Sequence, residues 1–314
     1  SSDLVIVIKS GRTSAGAQAA ASHTGALAGT EAVYGAIFKQ AGIIRADSIA
    51  ELFDFANAFA YKHESALGKA KRKIPSGKRV AIVTNAGGPG ILATDMTVSS
   101  DLELAKFKQE TIDALANCLP MTANIHNPVD VIGDAPSDRY ENALAAVIKD
   151  EGVDGALVIL TPQSMTNALG TAEAVVRVAR RSPKPILCCF MGVVDVSAGV
   201  KYLQEHGYPV YTFPEDAAKA LGALYKYSHW LNREHLPPFK LQQNQAAAAE
   251  VIRRCLAAGR TRLGEIDGLE LLKCYGFSTL PTTLVKDETA AMQIADQIGY
   301  PVVMKIVSPQ ILHK

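Results

Sequence analysis

The sequence predicts an α/β protein built on doubly wound parallel sheets, and three features carry that expectation. Short apolar runs rich in β-branched residues recur: Leu4-Val5-Ile6-Val7-Ile8, Val80-Ala81-Ile82-Val83-Thr84, Ala156-Leu157-Val158-Ile159-Leu160, Pro185-Ile186-Leu187-Cys188-Cys189-Phe190 and Pro209-Val210-Tyr211-Thr212. Helix-length patterns, such as residues 140–149, lie between them. The runs are apolar throughout rather than alternating, as in strands whose two faces are both covered.

Residues 4–8 form the first expected strand. Residues 13–29 are dominated by Ala, Gly, Ser and Thr and read as a loop and a helix start, while residues 31–40 regain helical patterning. Ser48 opens the next helix, with Glu51 three positions on as a capping box and Leu52, Phe53, Phe55, Ala56 and Phe59 as its apolar residues. The stretch 63–78 crowds Lys69, Lys71, Arg72, Lys73 and Lys78 beside Gly68, Pro75 and Gly77, the composition of a solvated linker. The strands between Val80 and Thr212 then make one doubly wound domain. Pro237-Pro238 and residues 242–249 read as a second linker. Beyond it the order is helix, strand (278–284), helix (288–298) and strand (302–307), the beginning of a further unit. The expected divisions are 1–62, a linker at 63–78, 79–236, a linker at 237–250, and 251–314.

Composition narrows the function classes. The 314 residues are 48% hydrophobic, enough to bury real cores. Lys plus Arg number 32 against 31 Asp plus Glu, so no net field recruits nucleic acid or an anionic membrane, and small-molecule substrates are the expected partners. Cys118, Cys188, Cys189, Cys255 and Cys274 form no metal spacing, and the adjacent pair points to opposite faces of a strand; a reducing compartment without a structural metal is expected. No apolar run approaches the roughly 20 residues needed to span a bilayer, and no signal-peptide pattern opens the chain, so the expected address is cytoplasmic. Both termini read as cut from something longer.

Ser22-His23-Thr24-Gly25-Ala26-Leu27-Ala28-Gly29 holds a histidine among small residues. Neutral imidazole is a competent nitrogen nucleophile near physiological pH and can accept and pass on a phosphoryl group. Taken alone, the motif favours a helix cap or a surface residue instead. Asn85-Ala86-Gly87-Gly88-Pro89-Gly90 lies between a strand and a helix expected to begin near Ile91, where free amides and the helix dipole favour an anion. The alternative is a tight turn that needs glycine. The order does not fit GxGxxG, and no Walker A sequence occurs. Asn127-Pro128-Val129-Asp130-Val131-Ile132-Gly133-Asp134 mixes turn formers with two carboxylates, for ligand binding or for capping. Thr161-Pro162-Gln163 and Gly192 follow strands, at the ends where open α/β sheets bind ligands. Lys305 and His313-Lys314 offer charge compensation to a polyphosphate, or a solvated terminus. His63, His126, His206, His229 and His235 read as surface or capping residues.

Together these motifs resemble the ADP-forming acetate–CoA ligases of the succinyl-CoA synthetase superfamily. Lys9-Ser10-Gly11-Arg12 leading to the His23 motif is similar to the phosphohistidine segment, Asn85 to Gly90 to the anion-binding helix start of the ligase domain, and Gly299-Tyr300-Pro301-Val302-Val303-Met304-Lys305 through His313-Lys314 to the opening of an ATP-grasp domain. The resemblance implies flavodoxin-like sheets plus the start of an ATP-grasp domain, and an acid–thiol ligase that interconverts acyl-CoA, ADP and phosphate with an acid, CoA and ATP. It implies His23 as the phosphorylated nucleophile on a swinging loop and His313 as a relay. Asn85, Gly87, Gly88 and Gly90 would bind phosphate, Asn127, Asp130 and Gln163 substrate, and Lys305 nucleotide. The implied cofactors are ATP or ADP, Mg²⁺ and CoA; the implied assembly is a homo- or hetero-oligomer. The family's CoA-binding domain, the first half of the phosphohistidine domain with the glutamate that partners the histidine, and the rest of the ATP-grasp domain are not in this sequence, so the chain alone is expected to be inactive. Two alternatives stand beside this reading: the acyl-CoA-sensing region of a protein lysine acetyltransferase, and a non-catalytic nucleotide- or CoA-binding module.

Overall fold

A computed structural model describes residues 4–24, 31–64, 70–234 and 244–308. The chain divides into two compact units, Ser1–Glu234 and His235–Lys314.

The first unit opens with β1 (Ile6–Ile8), α1 (Ser14–Thr24), α2 (Glu31–Ala41), β2 (Ile44–Ala46) and α3 (Ile49–Ala60), with β1 and β2 paired in parallel. Residues 13–29 were expected as a loop and a helix start, yet helix already runs from Ser14 to Thr24, because Ala15, Ala17, Ala19, Ala20 and Ala21 outweigh the glycine and serine around them. Against expectation β1 is not fully covered: Ile8 is 44% exposed, and β2 is its one paired strand among the described residues. The expected capping pair is present with its return bond shifted by one residue: Ser48 accepts from the Glu51 amide, and the Glu51 carboxylate accepts from the Asp47 amide, one residue before the cap.

The basic stretch 63–78 is not a plain linker. Its described part pairs β3 (Lys62–Glu64) with β4 (Ala70–Arg72) as an antiparallel ribbon. Lys73 is only 3% exposed, its Nζ donating to the Ala179 carbonyl at 2.5 Å over the Tyr61 ring. Lys73 thus covers apolar surface with its stem while capping a helix end, which a charge count cannot show.

A six-stranded parallel sheet follows, made of β5 (Arg79–Thr84), β6 (Glu103–Leu104), β7 (Val129–Asp130), β8 (Gly155–Leu160), β9 (Ile186–Phe190) and β10 (Val210–Tyr211). Its order is β10-β9-β8-β5-β6, with β7 continuing the same edge of β5 beyond β6. With β7 set aside, the strands run 2-1-3-4-5 in sequence order, the flavodoxin-like arrangement, whose winding reverses between β5 and β8. Connecting helices are α4 (Gly87–Ser99), α5 (Gln109–Cys118), α6 (Ser137–Lys149), α7 (Ala168–Arg180), α8 (Ser197–Glu205) and α9 (Pro214–Leu231).

Alternation along each strand sorts residues into two cores. Ala81, Val83, Val158 and Cys188 face α5 to α8, whereas Ile82, Leu157, Leu187 and Cys189 face α3, α4 and α9. Cys188 and Cys189 do point to opposite faces. Each fully buried Ile or Leu removes enough apolar surface to contribute about 1.5–3 kcal/mol. The segment around β1 and β2 shares the second core: Phe59 meets Tyr227 edge to face at 5.4 Å, and Tyr211 donates to the Asp54 carbonyl at 3.1 Å.

The second unit holds α10 (Gln245–Ala257), α11 (Glu265–Cys274) and α12 (Glu288–Ile298). Helix α12 lies where the pattern places it, but α10 begins inside the expected second linker. Residues 278–284 and 302–307 are irregular rather than strands. Both have strand composition, but strand needs a ladder partner, and neither segment has one among the described residues; Leu280 and Val303 stay exposed. No helix among the described residues is long and apolar enough to cross a membrane.

Candidate functional site

The site forms at the carboxyl ends of the paired strands β5 and β8, where the strand order reverses. Strand β5 ends at Thr84, and α4 starts at Gly87 rather than near Ile91, so the glycines occupy the first helical turn. A helix start normally satisfies an amide with a polar side chain at its N-cap. Here the N-cap is Ala86, at φ −146° and ψ 123°, with no acceptor to offer. Pro89 has no N–H, and the Gly90 amide donates to the Ala86 carbonyl at 3.2 Å. The amides of Gly87 and Gly88 are left without a partner among the described residues, and a Cβ placed on either glycine would meet nothing within 4 Å. Two free N–H groups at the positive end of a helix dipole form a cradle for an oxyanion.

Gly90, expected to bind phosphate, does a different job. Its amide is used inside the helix, and a Cβ there would lie 3.1 Å from the Thr84 Cγ2, so glycine allows the first turn to seat on β5. Asn85 is also turned inward. It is 4% exposed, donates to the Thr161 carbonyl at 2.9 Å and accepts from the Thr161 amide at 2.8 Å, tying the ends of β5 and β8 together.

Asn127, expected to touch substrate, repairs the sheet. Strands β6 and β7 leave a gap along the edge of β5, and the Asn127 carboxamide fills it by accepting from the Ile82 amide at 3.0 Å and donating to the carbonyls of Val80 at 2.7 Å and Ala105 at 3.1 Å. Asp130 sits at the end of β7 and accepts from the Ile132 amide at 2.9 Å. Ile132 has φ +68°, a strained value for a β-branched residue. Arg139 supports this turn, donating to the Val131 carbonyl and the Asp134 carboxylate. Gln163 reaches across from the end of β8: its Nε2 is 3.5 Å from the Asn85 carbonyl, and its Oε1 occupies space that a Cβ on Gly133 would enter at 2.3 Å. Beneath them Tyr140 donates to the Ile159 carbonyl at 2.9 Å, and burial, with Asp130 adding to it, pushes its phenol far up, so it stays protonated.

The structure thus gathers Gly87, Gly88, Asp130 and Gln163 around the switch point, and it places Asn85 and Asn127 behind them as supports. The expected nucleophile, His23, lies in the last turn of α1, with its side chain outside the described residues. His313 also lies outside them. Lys305 is exposed on an irregular segment of the second unit, 3.1 Å from the Glu265 carboxylate. Sequence reasoning assigned no role in the site to Thr84 or Arg139, and Gly133 stood there only as one of the turn formers. No sequence signal points to Thr84, because the helix start is expected near Ile91 and its alanine cap shows only in the structure.

Three family models match the chain: the succinyl-CoA ligase like flavodoxin domain over residues 2–59, the ligase-CoA domain over 80–235, and the ATP-grasp domain over 254–314. The 4-hydroxybutyrate–CoA ligase [ADP-forming] of Nitrosopumilus maritimus is 37% identical over 99% of this chain and 43% of its own length. The acetate–CoA ligase [ADP-forming] of Methanocaldococcus jannaschii is 39% identical, again over 99% of this chain and 43% of that protein. The chain therefore spans less than half the length of these relatives. Among solved structures, the dinucleotide forming acetyl-coenzyme A synthetase 1 of Ca. Korarchaeum cryptofilum, in complex with phosphate and ADP, superposes with a TM-score of 0.66 at 34% identity, covering 73% of this chain and 47% of that one. With its three domain matches in order and these relatives along nearly its whole length, the chain belongs to the family of ADP-forming acyl-CoA ligases.

Proposed function

We propose that the full-length protein interconverts acyl-CoA, ADP and phosphate with a carboxylic acid, CoA and ATP. Phosphate displaces CoA to give an acyl phosphate. The neutral imidazole of His23 then attacks phosphorus, and the P–O bond to the acyl group breaks with its electron pair leaving on the carboxylate. A terminal oxygen of ADP next takes the phosphoryl group, and the electron pair of the P–N bond returns to the imidazole. Each step moves a group whose oxygens carry negative charge, and the amides of Gly87 and Gly88 hold such oxygens without any charge of their own to desolvate. Asp130 and Gln163, at the neighbouring strand ends, orient the reacting group.

The observation that carries this reading is the uncapped amide pair at the switch point. The phosphate named with the solved relative supports it. In the second unit Lys305 exchanges Glu265 for nucleotide phosphate, with His313 nearby in sequence as a relay. Mg²⁺ enters with the nucleotide; no cluster of three His, Cys, Asp or Glu side chains among the described residues offers it a site, and no step above depends on it. The relatives named for acetate and 4-hydroxybutyrate support a short carboxylate as the acid.

Incubating the full-length protein with ATP and Mg²⁺ tests the proposal. Acid-labile, base-stable phosphorylation is expected, and His23→Ala abolishes it. Normal labelling of that variant would remove His23 from the mechanism.

A further inference from the structure

We propose that Thr84 is a positioning residue for phosphate: its hydroxyl clamps both backbone polar groups of Ala86 and so fixes where the Gly87 and Gly88 amides point. The inference rests on reading that amide pair as the phosphoryl cradle. Thr84 is 1% exposed. Its Oγ1 accepts from the Ala86 amide at 3.1 Å and donates to the Ala86 carbonyl at 2.9 Å.

Thr84 is in register with Asp130 on one side and Ile159 on the other, and its carbonyl accepts from the Val131 amide at 2.8 Å. The ladder fixes its backbone, and the two hydrogen bonds to Ala86 fix its hydroxyl. The hydroxyl carries that rigidity one peptide further. A polar N-cap side chain would hold Ala86 as well, but it would take the amide of the second or third helical residue in doing so. With the third residue a proline, that amide is Gly88's. A threonine on the strand fixes the cap from behind and leaves the cradle open. Thr84 touches no reacting atom; it acts through the orientation of two donors, and hydrogen bonds weaken steeply as they bend.

The test is the dependence of acyl-CoA cleavage by the full-length enzyme on inorganic phosphate, for wild type, T84V, T84S and G87P. The expectation is that T84V raises KM for phosphate about tenfold while kcat at saturating phosphate stays within about twofold, and that T84S, which keeps the hydroxyl, restores the wild-type KM. If G87P raises KM and a folded T84V does not, Thr84 has no positioning role although the cradle stands. If neither raises it, the cradle reading itself fails and takes this inference with it. A fall in kcat at unchanged KM also overturns it. Should T84V not fold, T84A carries the same measurement; failure of both to fold beside a folded T84S would make the hydroxyl a requirement of folding and overturn the proposal.

Discussion

Replacing Gly87 by proline removes one donor of the amide pair and little else. Proline suits the first helical position because its fixed φ matches the helix and its missing N–H has no helical partner there. The preceding residue must then be extended, and Ala86 already is, at φ −146° and ψ 123°. A Cβ on Gly87 would meet nothing within 4 Å. Folding stability should hold or rise by up to about 1 kcal/mol, as in other compatible substitutions to proline. Phosphate loses one hydrogen bond between an amide and a charged oxygen, worth about 1.5–3 kcal/mol, so its KM should rise on the order of 10- to 100-fold. Gly87→Ala keeps the N–H and should keep the KM. The assay is phosphate-dependent cleavage of acyl-CoA by the full-length enzyme, with thermal melting of each variant alongside. A folded G87P with the wild-type phosphate KM would refute the reasoning.

Two further predictions concern charges buried away from the site. Asp154 is buried and accepts from Ser76 Oγ at 2.9 Å, from the Arg79 amide at 3.0 Å and from Arg79 Nε and Nη2 at 2.8 and 3.0 Å. Burial raises its pKa, but the hydrogen bonds from Arg79 and Ser76 win and hold it below its ordinary 3.8. Its stabilisation is therefore present above about pH 4 and lost as pH falls through the lower folded value. Asp154→Asn should cost about 2 kcal/mol at pH 7, because Arg79 is part exposed, and less below pH 4; urea midpoints that show a pH-independent cost would contradict this. Lys73 runs the other way: burial lowers its pKa from 10.5 to about 8. Between those values the unfolded chain binds more protons than the folded one, so stability rises with pH. Relative to Lys73→Met, the wild type should gain about 3 kcal/mol between pH 8 and 10.5 in urea titrations, and a flat difference would refute it.

The strands of the large sheet are legible because burial on both faces writes continuous apolar runs, as at Val80 to Thr84 and Ala156 to Leu160. The same signal overstates β1, where composition says nothing of how many neighbours a strand will find. Residues 278–284 and 302–307 fail for a related reason: strand propensity is realised only against a partner. In the site, Gly87 and Gly88 stand out because glycines and a proline directly follow a strand, but with the helix expected near Ile91 the role of Ala86 as its cap shows only in the structure. Asn85 and Asn127 look equally like ligand-binding residues, but their partners, Thr161 and the edge of β5, are far away in sequence, and only the folded sheet shows that their amides serve the backbone. The space that Gln163 takes beside Gly133 is hidden for the same reason.

A crystal structure of the full-length protein with inorganic phosphate tests the cradle most directly. Phosphate oxygens should lie about 2.7–3.2 Å from the amide nitrogens of both Gly87 and Gly88. An ordered phosphate bound elsewhere in the enzyme, with those two amides facing water, would contradict the mechanism built on them.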